Sequence, residues 1–178
     1  MNSAQKVTLP LTENDARKLK AGDRLLLNGV IWTARDAAHK RLVAMLDAGE
    51  PLPVELKDQL VYFVGPCPAP PGRPIGSAGP TTSGRMDAYS PRLIRECGLR
   101  GMIGKGNRSQ AVVEAMKECG AVYLAATGGA GALIAQCIVK CDLIAFPELG
   151  PEAIYRLEVK DFPVVVAIDS EGGNLYTK

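Results

Sequence analysis

Residues 79–87 contain the densest group of side chains that could bind and transform a small carboxylate. Three hydroxyl residues stand between two glycines, and arginine and aspartate follow. A guanidinium presents a planar fork that matches a carboxylate, and a hydroxyl can donate to the same anion or, if activated, move a proton. The same residues could instead form a Ser/Thr turn with an exposed Arg85–Asp87 pair. The candidate residues of this segment are Thr81, Thr82, Ser83, Arg85 and Asp87.

A second candidate anion site is Lys105, which stands between Gly104 and Gly106 just before a predicted helix. Backbone N–H groups and the helix dipole favour an anion at such a position. The nucleotide-binding P-loop pattern fails, because Leu99 replaces its first glycine and Gly106 its hydroxyl residue. Lys105 is therefore either an anion ligand or a solvated turn lysine.

A third candidate pair is Arg35 and His39, four residues apart at the start of a predicted helix. Residues at this spacing share a helix face, so both could point at one ligand. A single histidine is otherwise usually a capping or packing residue. The glycine-rich segment 127–131 lacks the third glycine of the dinucleotide fingerprint, which favours close helix packing as its role.

The five cysteines do not predict a metal site within this chain. Cys137 and Cys141 are four apart, but no second pair or histidine stands near them in sequence. Buried free thiols are the interpretation that fits a reducing compartment. His39 also has no serine or cysteine motif beside it, so the sequence indicates no activated nucleophile.

The composition is that of one globular domain over residues 1–178. It is 47% hydrophobic and 22% charged, with a formal charge of +2. Because the basic residues are scattered, binding to nucleic acid or to a membrane surface is not expected. The N-terminal residues lack an apolar signal region, and no apolar run is long enough to span a membrane, so we predict a cytoplasmic location.

Alternating apolar patterns predict an α/β fold. Predicted strands cover residues 7–11, 60–64, 100–103, 121–126, 142–146, 155–158 and 164–168, and a predicted Asn-Gly hairpin covers 25–31. Predicted helices cover residues 13–20, 36–47, 91–97 and 110–119, and a fifth ends at Lys140. The β-α-β-α-β order of the second half indicates a partly parallel sheet with packed helices.

Residues 65–84 change abruptly in composition, to proline, glycine and small hydroxyl residues. They could be a disordered linker between two domains. We interpret them as an ordered functional loop, because the segment on either side is too small to bury a core alone and long loops inside compact domains are usually functional.

Taken together, these segments resemble the C-terminal domain, or separate β subunit, of the class I iron–sulfur hydro-lyases, which include fumarase and L-tartrate dehydratase. The resemblance covers nearly the whole chain. It rests on ARDAAH at 34–39, GPTTSGRMD at 79–87, MIGKG at 102–106, the Gly128-Gly129 turn and PELGPEA at 147–153.

The resemblance implies a swivelling β/β/α domain that works with a larger α subunit, as an αβ or (αβ)2 assembly. The [4Fe–4S] cluster would be held by cysteines of that subunit, with none bound by this chain alone. Arg35, Arg85 and Lys105 would bind a dicarboxylate, and Thr81 would take part in proton transfer with an aspartate of the partner. The supporting residues would be His39, Thr82, Ser83, Asp87 and Gly104.

The implied reaction is the reversible hydration of fumarate to L-malate. It requires both carboxylates to be fixed, a Lewis acid, and a base for the proton next to a carboxylate. A threonine hydroxyl is a weak base, so Thr81 would need cations such as Arg85 and Lys105 nearby, or would act as a relay. The alternatives are L-tartrate dehydration to oxaloacetate and, more remotely, a non-enzymatic anion-binding domain or a phosphocarrier that uses His39.

Overall fold

The computed structural model describes residues 3–126 and 131–177. The strands of this part of the chain are β1 Gln5–Thr8, β2 Arg24–Thr33, β3 Leu60–Tyr62, β4 Gly101–Gly104, β5 Val122–Ala125, β6 Ile138–Ala145 and β7 Ile154–Ile168. The helices are α1 Glu13–Lys18, α2 Asp36–Asp47, α3 Ser90–Cys97, α4 Gln110–Cys119 and α5 Gly131–Gln136. Short 3₁₀ helices cover Ser83–Met86, Pro147–Glu152 and Leu175–Thr177.

The sheet is partly parallel, and it closes on itself. Strands β1 to β5 lie side by side in chain order and run parallel. The long strand β7 runs antiparallel to β5, to β6 and to β2. Because β7 joins β5 to β2, the strands β2, β3, β4, β5 and β7 form a ring. The α/β class with packed helices, predicted from the sequence, is confirmed.

Local sequence signals place the helix ends well. The side chain of Thr12 accepts a hydrogen bond from the Asp15 N–H and caps α1. Gly98 and Gly120 follow α3 and α4 in the left-handed conformation that favours glycine. The bounds of α2 and α4 are those predicted from the sequence, because their apolar spacing and the glycines that follow them agree with the prediction.

The predicted hairpin at residues 25–31 is wrong. Strand β2 runs straight through Asn28-Gly29, where its register with β7 shifts, and Gly29 has a φ of 128°. The Asn-Gly pair therefore forms a bulge in one long strand. A Cβ at position 29 would lie 3.0 Å from the Cβ of Leu9, so glycine also fits the close contact there.

Two further boundaries differ from the prediction near the C-terminus. Helix α5 ends at Gln136, and the residues predicted to extend it to Lys140 begin strand β6. Strand β7 is continuous across the two predicted strands, with Asp161 at a φ of 49° between them. Pairing along the whole of β6 with the first part of β7, Ile154–Val159, outweighs the local preferences of these residues.

The ring separates two hydrophobic cores. Tyr62 and Leu124 belong to one core, which is formed by side chains of β2 and β7 and the residues packed around them. Their chain neighbours Phe63 and Tyr123 belong to the second core, which packs against α2, α3 and α4. This alternation follows from the two-residue period of strands, and it holds the parallel strands rigidly between two packed layers. Within residues 3–126 and 131–177, no helix is long and apolar enough to cross a membrane.

Candidate active site

The candidate residues lie on segments that follow the parallel strands β2, β3 and β4, whose carboxyl ends meet at one edge of the sheet. Arg35 comes after β2, the 65–84 loop after β3, and Lys105 directly after β4. In both open and closed parallel α/β sheets, ligands bind at the carboxyl ends of the strands. The predicted Gly128-Gly129 turn lies outside the described residues.

Backbone hydrogen bonds bring the hydroxyl-rich segment beside Lys105. The Thr81 N–H donates to the Phe63 carbonyl over 2.8 Å, and the Ser83 N–H donates to the Lys105 carbonyl over 2.9 Å. Thr82 pairs with Lys105 in a parallel bridge. The end of the 65–84 loop is therefore ordered, which agrees with the ordered-loop interpretation of the sequence, and it forms a short bridge beside β4.

Arg35 and Arg85 converge on the carboxylate of Asp36. Arg85 Nη2 lies 2.8 Å from Asp36 Oδ2, and Arg35 Nη2 lies 3.9 Å from the same oxygen. Arg85 is a little over half exposed, whereas Arg35 and Asp36 are mostly buried. The exposed Arg85–Asp87 pair, considered above as an alternative, is not the arrangement that forms.

Arg35 retains hydrogen-bonding capacity for a ligand. Its Nε is buried and has no hydrogen-bond partner among the described residues. A Cβ at position 65 would lie 2.9 Å from Arg35 Nη1, so Gly65 leaves the space that this guanidinium occupies. Unpaired buried donors are rare and costly, which makes this one a candidate donor for a bound anion.

Asp87 holds the hydroxyl-rich segment in place through an ion pair with a buried arginine. Arg108, with its side chain fully buried, donates from Nε to Asp87 Oδ1 over 2.7 Å and from Nη2 to Ser90 Oγ over 2.7 Å. Its guanidinium lies 5.2 Å and 5.0 Å from the ring centres of Phe63 and Tyr123. Burial lowers the pKa of Arg108, and the hydrogen bond to Asp87 opposes that shift.

The other oxygen of Asp87 links this network to helix α4. Asp87 Oδ2 accepts from the Ser109 N–H over 2.8 Å, at the start of that helix. Asp87 therefore supports the site by joining two loops. Sequence reasoning did not single out Arg108, because burial of an arginine carries no sequence signal.

Ser83 and Gly104 form a second support. The hydroxyl of Ser83 is fully buried and lies 2.7 Å from the Tyr123 hydroxyl, which lies 2.7 Å from the Gly106 carbonyl. Burial raises the pKa of Tyr123, so its hydroxyl keeps the proton that it donates. A Cβ at position 104 would overlap Ser83 Oγ, which explains a glycine immediately before Lys105.

His39 does not reach the surface beside Arg35. It is fully buried, with Nδ1 2.8 Å from the Arg35 carbonyl and the rings of Phe63 and Tyr89 against it. Burial lowers the pKa of His39 to about 4, so the ring is neutral near pH 7. Since His39 holds the backbone of Arg35, its contact with the site is indirect.

The two candidates that remain are Thr81 and Lys105. Thr81 is half-buried, and its hydroxyl makes no hydrogen bond within the described part of the chain. Lys105 is exposed. A hydroxyl and an ammonium group therefore stand at the same edge as two guanidinium groups, an arrangement suited to a small dianion and to proton movement beside it.

The model of the fumarase C-terminus family matches residues 1–178. The chain belongs to the fumarase C-terminus family. The matched residues include the segments 34–39, 79–87 and 102–106 on which the resemblance rests. The fold brings those three segments together at one edge of the sheet.

Curated relatives of two sizes match this member of the fumarase C-terminus family. Fumarate hydratase 2 of Leishmania major is 43% identical over 158 residues, which is 88% of this chain and 28% of the relative. The anaerobic class I fumarate hydratase of Escherichia coli strain K12 is 45% identical over 154 residues, 86% of this chain and 28% of the relative. The chain thus spans less than a third of the length of these fumarate hydratases.

A relative of similar length comes from Methanocaldococcus jannaschii. This protein bears the provisional name L(+)-tartrate dehydratase subunit beta, and it is 40% identical over 171 residues. The match covers 93% of this chain and 88% of the relative. The named relatives are hydratases or dehydratases, so the family is one of hydro-lyases and their subunits.

The described residues of this fumarase C-terminus member do not fit an iron–sulfur cluster. No group of three or more His, Cys, Asp or Glu side chains within residues 3–126 and 131–177 could hold a metal ion. The cysteines lie on separate elements of the fold, with Cys67 exposed on the 65–84 loop. The candidate site is therefore built from anion-binding and hydroxyl groups.

Proposed function

We propose that this chain is the β subunit of a two-subunit fumarate hydratase, which interconverts fumarate and L-malate. The observation that carries the proposal is the convergence of Arg35 and Arg85 on one carboxylate, that of Asp36. Two arginines that already surround an internal carboxylate have the geometry and charge for the carboxylates of a substrate. The membership of the fumarase C-terminus family supports the same assignment.

Arg35, Arg85 and Lys105 hold the dicarboxylate in this proposal. The buried Nε of Arg35 supplies an unused donor, and Arg85 and Lys105 supply accessible positive charge. Three cations around a four-carbon dianion fix both of its ends. The carbon that loses the proton and the neighbouring carbon that carries the hydroxyl group are then held in a fixed orientation.

Thr81 moves the proton at the carbon next to a carboxylate. Its hydroxyl is not engaged by the described residues, and its backbone is held by Phe63 and Lys105. The cations Arg85 and Lys105 on the adjacent segments favour a hydroxyl that gives up its proton. Thr81 acts either as the base or as a relay to an aspartate of the partner.

The partner in the proposal is a larger α subunit that holds a [4Fe–4S] cluster. Support comes from the tartrate dehydratase β-subunit relative, whose length this chain nearly matches. The proposed assembly is αβ or (αβ)2 in the cytoplasm. In that assembly this chain binds and orients the substrate and moves its proton, and the α subunit supplies the Lewis acid.

L-tartrate dehydration is the second candidate reaction, and the same relative favours it. Tartrate and malate are both four-carbon hydroxy dicarboxylates, so the same cations would hold either. A phosphocarrier role for His39 conflicts with its complete burial, because a phosphoryl acceptor must be reached by its donor.

The decisive experiment is anaerobic co-expression of this chain with a larger, cluster-bearing α subunit, which is to be sought first in the genes beside that of this chain. We expect fumarate and L-malate to interconvert, at a kcat in the usual enzyme range of about 1–10³ s⁻¹. The reaction is followed by the ultraviolet absorbance of fumarate. L-tartrate is the comparison substrate. A kcat/KM at least tenfold higher for L-tartrate would assign the tartrate reaction instead, and turnover of neither substrate would reject the proposal.

A further inference from the structure

Asp36 is the acidic residue on which both substrate-binding arginines converge, and neither the sequence patterns nor the family resemblance assigned it a role. Its Oδ2 is buried, 2.8 Å from Arg85 Nη2 and 3.9 Å from Arg35 Nη2. We propose that Asp36 is a positioning residue, which fixes the guanidinium of Arg85 beside that of Arg35 so that both can bind one end of the substrate. The inference rests on the proposed function and adds a residue to its site.

Arg85 needs such an anchor because of its position in the fold. It lies in the 3₁₀ helix Ser83–Met86, on an irregular segment, and its side chain is a little over half exposed. A long exposed side chain has many rotamers, and fixing one of them on binding reduces affinity. Among the described residues, the ion-pair partner of Arg85 is Asp36.

Asp36 itself is held on a rigid element. It is the first residue of helix α2, where a negative charge is favoured by the helix dipole. Glu152 Oε1 accepts from the Ala37 N–H over 3.1 Å, and His39 Nδ1 lies 2.8 Å from the Arg35 carbonyl. These contacts fix the first turn of α2 and make Asp36 a stable point of attachment for the Arg85 side chain.

The pairing leaves both arginines able to bind a ligand. A guanidinium has five N–H donors, and the contact of Asp36 with each arginine is made to its Nη2 group. Arg35 Nε remains without a partner among the described residues. Asp36 Oδ2 also forms no directed hydrogen bond in that part of the chain, so the contact with Arg85 is electrostatic and can adjust when a substrate carboxylate enters.

A kinetic experiment on the co-expressed enzyme tests this role. The variants are Asp36→Asn, Asp36→Glu and, as a matched control, Asp47→Asn. Asp47 is the last residue of the same helix and also pairs with an arginine, Arg92, at 2.6 Å. We expect Asp36→Asn to raise the KM for L-malate at least tenfold, Asp36→Glu to recover part of the loss, and Asp47→Asn to stay within twofold.

A double-mutant cycle separates positioning from a general structural effect. If Asp36 acts through Arg85, then Asp36→Asn in an Arg85→Met background should change kcat/KM by less than threefold. Additive losses in the double variant, or a KM for Asp36→Asn at or below that of the wild type, would overturn the inference. The second result would mean that Asp36 competes with the substrate for the arginines.

A measurement on the isolated ¹⁵N-labelled chain distinguishes failure of this inference from failure of the proposed function. The Arg85 Nε–H signal, assigned by its loss in Arg85→Met, reports the contact without any turnover. We expect Asp36→Asn to shift that signal towards free arginine, and Asp47→Asn to leave it in place. An unchanged Arg85 signal in Asp36→Asn rejects the positioning role even if the enzyme hydrates fumarate, whereas a shift in an inactive pair rejects only the proposed function.

Discussion

A substrate-binding role and a turn-forming role of Arg85 predict different kinetic results when its guanidinium is removed. Arg85→Met keeps much of the side-chain length and removes the charge, so the proposed enzyme should lose substrate binding in both ground and transition states. The expected loss is about 2 kcal/mol, the lower end for a broken charge pair because Arg85 is partly exposed, or about 30-fold in kcat/KM with a raised KM.

Arg73→Met is the matched control for Arg85→Met. Arg73 is exposed on the same 65–84 loop. Its replacement should leave the KM for L-malate unchanged in steady-state kinetics. Equal KM values for the two variants would assign Arg85 to the turn alone.

Thr81 carries the proton in the proposed function, and its hydroxyl can be removed at nearly constant shape. Thr81→Val should fold and assemble but lose about 10²–10⁴-fold in kcat, the usual contribution of a positioned acid or base. Thr81→Ser should retain much more activity, because it keeps the hydroxyl. The measurements are kcat normalised to cluster content and exchange of the malate proton that is lost on dehydration. A Thr81→Val variant within about threefold of wild-type kcat would contradict the role.

His39 should make stability depend on pH. Its pKa falls from 6.5 to about 4 on burial, so the folded state binds fewer protons than the unfolded state between these values. The contribution of His39 to the free energy of unfolding should therefore be at its maximum above pH 6.5. It should fall as the pH drops towards 4, by about 3 kcal/mol in all. Urea unfolding between pH 7.5 and 4.5 measures this dependence.

The comparison variant is His39→Asn, which keeps a donor for the Arg35 carbonyl. His39 is the single histidine of the chain, so no other imidazole titrates in this range. The variant should lose most of the pH dependence between pH 6.5 and 5. If wild type and variant fall in parallel, the buried imidazole is not the group responsible.

At the scale of elements, the loop after β3 and the loop after β4 are joined by one buried ion pair. Asp87→Asn removes the charge partner of Arg108, whose side chain is fully buried. Breaking a buried pair from one side costs about 3–5 kcal/mol, which should lower Tm by about 6–20 °C for a domain of this size. Thermal unfolding followed by circular dichroism measures the change.

The exposed pair Asp47–Arg92 again provides a matched control. Asp47→Asn should change the free energy of unfolding by less than about 1 kcal/mol, because exposed ion pairs contribute little. If Asp87→Asn is no more destabilising than Asp47→Asn, Asp87 does not hold the two loops together.

The secondary structure shows where local signals suffice. Helices α2 and α4 have their predicted bounds, since apolar spacing and stop residues are encoded within a few positions of each end. The Asn-Gly signal failed in β2, because the long partner strand β7 keeps β2 extended and turns the pair into a bulge. The start of β6 was missed for the same reason, as pairing partners distant in sequence are not visible locally.

At the scale of the whole molecule, the proposed function requires a partner subunit that completes the site. The chain purified alone should contain no stoichiometric iron or sulfide and should show no hydratase activity on fumarate or L-malate. Activity should return on anaerobic mixing with the cluster-bearing subunit. Iron and sulfide analysis together with a fumarate assay tests this, and either a stoichiometric cluster or turnover in the lone chain would contradict the two-subunit arrangement.

The sequence by itself determined which side chains could act. Arg35, Thr81, Arg85 and Lys105 are identifiable because their residue types and glycine-flanked or helix-start positions have chemical meaning without a fold, and the alternation of patterns determined the α/β class. Residue type also led to His39 and Ser83, but type does not encode burial, and the structure encloses both as supports.

Only the tertiary structure decided how those side chains are combined. The contacts of Arg85 with Asp36, and of Asp87 with Arg108, join segments separated by 49 and 21 positions along the chain. The neighbours Arg85 and Asp87 could have paired with each other, yet each has its partner elsewhere. The physical reason is that parallel strands bring their carboxyl ends to one edge of the sheet. Charged residues that are far apart in sequence therefore make contact there, whereas Arg85 and Asp87, which are two residues apart, do not pair.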